Sequence, residues 1–481
     1  MTTKHWFDDA LLINRDPNWY WYAVPHAESK EQVEDALRSF FCKFTEDALT
    51  DVQLCVFENT SIIPSDAVMW RGLKFLQTEE NGIPVSYPQL ESLYRMFHDF
   101  GVDPVQIFLD TLRAGGVRPW ITLRMNDAHF GGDPTSFLRD DFFYTAEKNG
   151  WMIGEEYGYY AHCLDYGCES VRARMLAFID ELFAKYDMFG LELDFMREIH
   201  SFDYRHNADR VEIMNGFIAA VREKCIAAGE QYGHPVRLMV RVPREIDDAL
   251  VFGFDVGYWA KNGLVDAIVP TPRWEVSDDG IPVAAWKALV GEDIAVFPGV
   301  EILMLRFSSM TADIARAYSA AWNTQGADGL YFNNHDYATP LHKQVYGLHR
   351  ATVLADKRRY IVTYQDIAAS GNSCYRPLPL NVDGEAELSL CIGPVRDGDR
   401  LTVIADIDGT GLTLALDSHA LGDGRSVDAV YGGEVDDSHP IALTEDGHTF
   451  AFDAPDYTTE GAVTLKLYGK GTLRYLEFDI E

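Results

Sequence analysis

Two carboxylates on one predicted strand are the first residues here that could do chemistry. In the stretch Phe189–Arg197, apolar residues alternate with Glu192 and Asp194, so one strand face carries both acids. In an open sheet or a sandwich, burying this face would cost much free energy. In a parallel barrel the face points to the interior, and its carboxyl end reaches the active-site mouth. The stretch therefore predicts acids near a barrel mouth, in a functional site or in an ion-paired structural cluster.

Arginines follow the predicted carboxyl ends of strands three to six, although the chain has a net charge of −34. A guanidinium binds a carboxylate or a phosphate through two parallel hydrogen bonds. Alternatively, each arginine neutralises a neighbouring acid. The sequence has no glycine-rich phosphate loop, which favours a carboxylate ligand. The candidate substrate-binding residues on these strands are Arg124, Asn126, Glu192, Asp194, Arg197, Arg241 and Arg273.

His129 follows predicted strand three, five residues after Arg124. Paired with a carboxylate, it could act as a general acid or base near neutral pH, although a lone loop histidine is more often an ordinary surface residue. Asn333 and Asn334 end predicted strand eight. Tryptophans near predicted mouth loops suit a sugar ring, although many of them are expected to be core residues. They are Trp6, Trp19, Trp21, Trp70, Trp120 and Trp274.

The composition limits the classes of partner. Acidic residues outnumber basic ones 75 to 41, which disfavours nucleic acid and anionic membranes as partners of the general surface. No apolar run reaches membrane-spanning length, and the first residues do not resemble a signal peptide. The seven cysteines suggest reduced thiols and lack zinc-site spacing. These features predict a soluble, cytoplasmic, bacterial-type enzyme with no metal and no cofactor.

Strand-like and helical patterns alternate over the first 365 residues and predict a (β/α)₈ barrel. The segment before Trp19 is expected to cap one end of the barrel or to lend residues to its mouth. The predicted strands are Trp19–Val24, Val52–Glu58, Arg118–Asn126, Phe189–Arg197, Val236–Val242, Asp266–Thr271, Ile294–Val300 and Gly329–Asn333. The predicted helices are Ser29–Leu49, Pro88–Asp99, Pro104–Ala114, Val171–Tyr186, Val211–Ala228, Asp248–Asn262, Pro282–Leu289, Thr311–Thr324 and Leu341–Leu354.

Residues 366–481 have a different pattern, with short strand-like runs separated by turn signals such as Asp408-Gly409. This pattern predicts a C-terminal antiparallel β-sandwich, whose simplest role is packing support. The predicted strands are Glu387–Gly393, Arg400–Asp408, Leu412–Asp417, Ala429–Gly432, Ile441–Leu443, Thr449–Phe452, Val463–Tyr468 and Leu473–Ile480.

The chain resembles glycoside hydrolases of the barrel-plus-sandwich type, and more specifically family 156, the inverting exo-sialidases. Four positions carry this resemblance: Arg124, His129, Arg197 and an early acid, Asp9. It implies that Asp9 and His129 are catalytic, and that the arginines and a late Asn, Asn333 or Asn334, hold the carboxylate of sialic acid. It also implies a sialylated glycan as partner, and it leaves a homodimer open.

The anomeric carbon of sialic acid bears a carboxylate, which repels a carboxylate nucleophile and favours water activated by His129 with Asp9. One rival is a retaining glycosidase that uses Glu192 as acid/base and Glu301 as nucleophile, which would leave the arginines unexplained. A second rival, from another class, is a non-catalytic sugar-acid-binding barrel.

Overall fold

A computed structural model describes most of the chain. The described residues are 5–8, 10–16, 27–45, 49–129, 131–273, 280–301, 303–304, 308–309, 311–333, 357–362, 378–409, 411–427 and 448–481. Asp9, Asn334, and the predicted elements Trp19–Val24, Leu341–Leu354, Ala429–Gly432 and Ile441–Leu443 lie outside these residues, as does the 365/366 boundary between the two predicted domains.

Within the described residues, eight parallel strands close into a barrel. Strand β7 closes it, because its first segment pairs with β6 and its second segment pairs with β8. The strands are β1 (Ala10–Arg15), β2 (Asp51–Glu58), β3 (Arg118–Arg124), β4 (Gly190–Asp194), β5 (Arg237–Pro243), β6 (Ala267–Thr271), β7 (Ala295–Val296 and Gly299–Glu301) and β8 (Gly329–Asn333). The predicted (β/α)₈ architecture is confirmed.

Helices connect the strands and cover the outside of the barrel. They are α1 (Lys30–Cys42), α2 (Glu91–His98), α3 (Pro104–Ala114), α4 (Asp141–Asn149), α5 (Glu169–Lys185), α6 (Arg210–Tyr232), α7 (Ile246–Val251), α8 (Val256–Lys261), α9 (Val283–Val290) and α10 (Ala312–Thr324). Ser29 caps α1 as predicted, with its hydroxyl accepting the Gln32 N–H. The single helix predicted over Asp248–Asn262 is wrong: α7 and α8 replace it, and Gly253 between them has a φ of 99°.

The first strand differs from the prediction, because Ala10–Arg15 forms β1 and pairs with both β2 and β8. Its core, Leu11-Leu12-Ile13, is a continuous apolar run, typical of a strand that is buried on both faces. Just before β1, Trp6 packs near Trp120 and Phe189 at the amino-terminal end of the barrel. The leading segment therefore caps this end, which is one of the two roles expected for it.

Antiparallel strands form the C-terminal sheet, as predicted. Two predicted runs, Val463–Tyr468 and Leu473–Ile480, are one 19-residue strand, β14. The first half of β14 pairs with β10 and β12, and its second half pairs with β9 and β11. These strands are β9 (Arg358–Ile361), β10 (Leu380–Cys391), β11 (Leu401–Asp408), β12 (Thr413–Leu416), β13 (Thr449–Ala454) and β14 (Ala462–Ile480).

Candidate functional site at the barrel mouth

Arg124 is the centre of a buried charge cluster at the carboxyl end of β3. Its Nη1 donates to Glu58 Oε1 and, at 3.2 Å, to Asp127 Oδ2, while its Nη2 donates to Asp16 Oδ1. Glu58 Oε2 accepts a second guanidinium N–H, from Arg71, at 2.9 Å. Burial lowers the pKa of Arg124, but Asp16 and Glu58 raise it well above its ordinary value. We call Asp16, Glu58, Arg71, Arg124 and Asp127 the Arg124 cluster.

Asp127 connects this cluster to the histidine. Its Oδ1 lies 2.9 Å from His129 Nδ1 and accepts the backbone N–H of His129, also at 2.9 Å. Its Oδ2 lies 3.7 Å from Arg197 Nε. Burial alone would raise the pKa of Asp127, but Arg197, the His129 hydrogen bond and Arg124 hold it well below its ordinary value. Asp127 is therefore a permanent anion placed to orient the imidazole.

The His129 ring is the accessible end of this arrangement. Its side chain is 32% exposed, whereas those of Asp127 and Arg197 are 1% and 5% exposed. Arg197 Nη2 contacts both ring nitrogens of His129. The Asp127 carboxylate and the Arg197 guanidinium therefore both orient the ring, whose imidazole is a group that can carry a proton near neutral pH.

Asp194 holds the start of the loop after β4. Its Oδ1 accepts the backbone N–H groups of Met196 and Arg197, at 2.8 and 3.0 Å. Arg241 Nη1 lies 3.3 and 3.2 Å from its two carboxylate oxygens. Asp194, held by Arg241, thus positions the backbone of Arg197 from the barrel interior.

Asn126 joins two mouth loops. Its amide donates to the carbonyls of Leu164 and His200, at 3.0 and 3.1 Å, and accepts the Leu164 N–H at 2.8 Å. Both of its N–H donors are therefore used inside the protein.

A second ion pair lies beyond Arg197. Glu198 is fully buried, and its Oε2 accepts Arg273 Nη2 at 2.8 Å. Its Oε1 accepts the Ala128 N–H at 3.2 Å and the Tyr159 hydroxyl at 3.1 Å. The Arg273 guanidinium lies 5.1 Å from the centre of the Tyr159 ring. Each arginine predicted at the mouth thus contacts a carboxylate, as the charge-neutralising alternative requires.

Glu192 lies two residues before Asp194 on the same face of β4 and is fully buried in the barrel interior. Its Oε2 accepts from Asn14 Nδ2 at 2.9 Å and from the Thr122 hydroxyl. The Tyr331 hydroxyl is close, but outside good hydrogen-bond geometry within the described structure. Burial, followed by the charge of Asp194, raises the pKa of Glu192 to about 7.

This raised pKa predicts a stability difference that depends on pH. A carboxyl with an ordinary pKa of 4.5 and a folded pKa of about 7 contributes stability that is present below the first value and is lost as pH rises through the second. Relative to Glu192→Gln, we expect the wild type to lose about 2–3 kcal/mol of unfolding free energy between pH 5 and pH 8. Urea denaturation of both proteins across this range measures the difference.

Glu223→Gln, an exposed change on α6, is the matched control and should show no such trend. A constant difference between wild type and Glu192→Gln from pH 5 to pH 8 would contradict a protonated Glu192 in the folded barrel.

The structure brings together Arg124, His129 and Arg197 through Asp127, and it places the Asp194–Arg241 pair beside them. Asn333 is buried at the end of β8. The catalytic and substrate-binding roles assigned to all these residues remain predictions. Asp9 and Asn334 lie outside the described residues, as does the side chain of Glu301. Asp8 and Ala10, on either side of Asp9, lie at the amino-terminal end of the barrel, opposite His129.

Sequence reasoning gave no role to several residues of this site. They are Asp16, Glu58, Asp127, Glu198 and Tyr159. Three signals were available: Glu58 is the last residue of predicted strand two, Asp127 precedes His129 by two positions, and Glu198 follows Arg197.

The tryptophans described by the structure belong to the core. Trp120 is fully buried inside the barrel and donates to Asp51 Oδ1 at 2.8 Å. Trp70 packs against Phe97, with ring centres 5.4 Å apart. Trp70 and Trp120 are thus core residues, as expected for many of the tryptophans, whereas Trp6 caps the opposite end of the barrel and does not lie at the mouth. Trp19, Trp21 and Trp274 lie outside the described residues.

The described part of the chain contains neither a membrane-spanning helix nor a metal-binding group. None of its helices combines the length and the apolar character that crossing a bilayer requires. Across the same residues, no group of three or more His, Cys, Asp or Glu side chains is arranged to hold a metal ion.

Similar folds occur in known structures. The chain is similar to the GH36 alpha-galactosidase AgaA of Geobacillus stearothermophilus, solved with raffinose (10% identity, 96% of this chain, 56% of that chain, TM-score 0.38). It is also similar to alpha-L-fucosidase isoenzyme 2 of Paenibacillus thiaminolyticus (11% identity, 73% of this chain, 51% of that chain, TM-score 0.42). A third similar structure is the PgaB (BpsB) glycoside hydrolase domain of Bordetella bronchiseptica (9% identity, 70% of this chain, 98% of that chain, TM-score 0.42).

The chain spans about half the length of the galactosidase and of the fucosidase. No family model and no curated protein matches it. With TM-scores below 0.5, these likenesses assign neither a family nor an activity to this chain.

Proposed function

We propose that this protein is a glycoside hydrolase, specifically an exo-sialidase that removes terminal α-linked sialic acid by inversion. The observation that carries the proposal is the convergence of Arg124, Arg197 and the Asp127–His129 pair beyond β3 and β4. This arrangement combines cations for a carboxylate with an oriented base, at the barrel end where active sites form.

The two arginines would bind the carboxylate on the anomeric carbon of sialic acid. Both side chains are at least nine-tenths buried, so their charges act in a medium of low polarity, where a charge-assisted hydrogen bond is strong. Arg197 lies directly against His129, so a carboxylate bound there brings the anomeric carbon next to the imidazole. Asp194 and Arg241 act as positioning residues, because they hold the backbone from which Arg197 extends.

Water is the nucleophile in this proposal. The substrate carboxylate repels an anionic nucleophile, whereas His129 can take the proton from a neutral water as it attacks. The new C–O bond forms as the glycosidic C–O bond breaks, and the departing oxygen takes a proton from solvent water. Asp127 orients the ring through Nδ1 and stabilises the imidazolium that forms when the ring takes this proton. Asp16, which directly follows β1 and contacts Arg124, is the early acid at this mouth and takes the role that the resemblance gives to Asp9.

The retaining alternative requires Glu192 to reach the glycosidic oxygen, because a general acid must come within hydrogen-bond distance of the group that it protonates. Glu192 is fully buried and is bonded to Asn14 and Thr122 below the charged layer. Its position favours an internal role.

A proton NMR time course on an α-sialoside tests the proposal. A single displacement by water should release the β-anomer of sialic acid first, before mutarotation mixes the two anomers. Fluorogenic glycosides of neutral sugars serve as controls and should stay intact. Release of the α-anomer first would eliminate direct attack by water, and hydrolysis of a neutral glycoside in place of the sialoside would overturn the substrate assignment.

A further inference from the structure

Tyr159 is the exposed aromatic residue beside the His129 site. It is 47% exposed, whereas the arginines and acids nearest to it, Arg197, Arg273 and Glu198, are at most 4% exposed. Its hydroxyl and the backbone N–H of Ala128 bind the same oxygen of Glu198. Because Ala128 adjoins His129 in the chain, this shared oxygen holds the ring at the edge of the proposed reaction centre.

The ring is also fixed from its other side. Arg273, held by Glu198, lies 5.1 Å from the Tyr159 ring centre and 5.2 Å from that of Tyr160. The Tyr159 and Tyr160 rings meet edge to face, with centres 5.2 Å apart. Gly158, with a φ of 57°, permits the backbone turn just before the two tyrosines. Single exposed aromatic residues are common, but this one is anchored through its hydroxyl and its ring by buried groups.

We propose that Tyr159 is the platform for the leaving-group sugar, where its exposed ring stacks on the apolar face of a neutral hexose. The inference rests on the proposed sialidase function and extends it to the sugar that is released. An aromatic ring fixed in place can bind a C–H-rich sugar face at little entropic cost. A rigid ring that shares a Glu198 oxygen with Ala128, the chain neighbour of the base, suits the sugar next to the scissile bond.

The alternative role for Tyr159 is nucleophile. Glu198 would then have to take the phenol proton, but both of its oxygens already accept other hydrogen bonds, from the Ala128 N–H and from Arg273. Burial, followed by the charge of Glu198, raises the pKa of Tyr159 and so disfavours the phenolate. The platform role needs the ring, and the nucleophile role needs the hydroxyl.

Two variants and two substrates separate these roles. Methyl α-sialoside has no sugar in its leaving group, whereas an α-sialyl-lactose presents a neutral hexose there. For Tyr159→Ala we expect kcat/KM to fall about 3- to 10-fold on the trisaccharide, the change for losing one aromatic contact, and to stay within about twofold on the methyl sialoside. Tyr159→Phe should keep most of the wild-type preference for the trisaccharide.

Tyr258→Ala, an equally exposed tyrosine on α8, is the control and should change neither substrate. Equal losses on both substrates for Tyr159→Ala, or loss of all turnover for Tyr159→Phe, would overturn the platform.

If the wild type hydrolyses neither substrate, that result counts against the proposed function. Saturation-transfer NMR with the trisaccharide then tests the platform by itself, because it detects binding of the hexose without turnover. Hexose signals that are present with the wild type and lost with Tyr159→Ala would support the platform. Their absence with the wild type would overturn it.

Discussion

Replacing His129 by alanine is expected to lower kcat on a sialoside about 10²- to 10⁴-fold, the usual contribution of a positioned acid or base. Binding should persist, because the carboxylate is held by Arg124, which keeps Glu58, Asp16 and Asp127, and by Arg197, which loses the imidazole but keeps Asp127. Steady-state kinetics measure kcat, and calorimetric titration with sialic acid measures binding.

The matched control is His206→Ala. His206 is 75% exposed in its side chain and bonds Asp203 away from Arg124 and Arg197, so both kcat and binding should be unchanged. Asp127→Asn should also lower kcat, because it removes the anion that orients the ring and stabilises the imidazolium. Full activity in His129→Ala would remove this residue from the chemistry, and loss of binding alone would indicate a purely substrate-holding role.

The barrel was predictable from the sequence because seven of its strands follow the expected order of strand and helix patterns. β8 has the predicted bounds, and β4 lies inside the predicted stretch. β1 was missed, since its short apolar run lacks the alternation of a half-buried strand. This error has a chemical consequence: with Ala10–Arg15 as a strand, the acid at the mouth end is Asp16.

The partners of the arginines were less predictable. Parity along β3 and β4 identifies side chains that face the barrel interior, but it does not say which of them touch. Asp127 joins Arg124, His129 and Arg197 through a loop, and loop geometry has no sequence periodicity. The contact between Arg273 in the loop after β6 and Glu198 in the loop after β4 was unpredictable for the same reason.

Truncating Arg124 to alanine is expected to have the largest effect on stability. It leaves the buried Glu58 and Asp127 and the partly buried Asp16 without the guanidinium that they share, and removing one partner of a buried pair costs about 3–5 kcal/mol. Arg124→Lys should recover only part of this loss, because an ammonium lacks the planar fork that reaches several carboxylates at once. Urea denaturation followed by tryptophan fluorescence measures the change.

Arg205→Ala is the control for losing an arginine that contacts more than one acid. Arg205 also contacts two acids, Glu156 and Asp203, but its side chain is 45% exposed, and surface ion pairs are worth about 1 kcal/mol or less. If both variants lost the same small amount of stability, burial would not be the reason for the effect at Arg124.

The pH dependence and a second substitution separate stability from activity at Arg124. Burial raises the pKa of Glu58, but Arg124 and Arg71 hold it below its ordinary value. Without Arg124 the pKa of Glu58 rises, so the stability deficit of the variant relative to the wild type should shrink as pH falls. Adding Glu58→Gln to Arg124→Ala removes a buried charge whose one remaining guanidinium partner is Arg71, and it should restore part of the stability at pH 8. The kcat/KM on a sialoside should stay low, because the double variant still lacks the guanidinium for the carboxylate. Recovery of activity together with stability would mean that Arg124 only holds the acids in place.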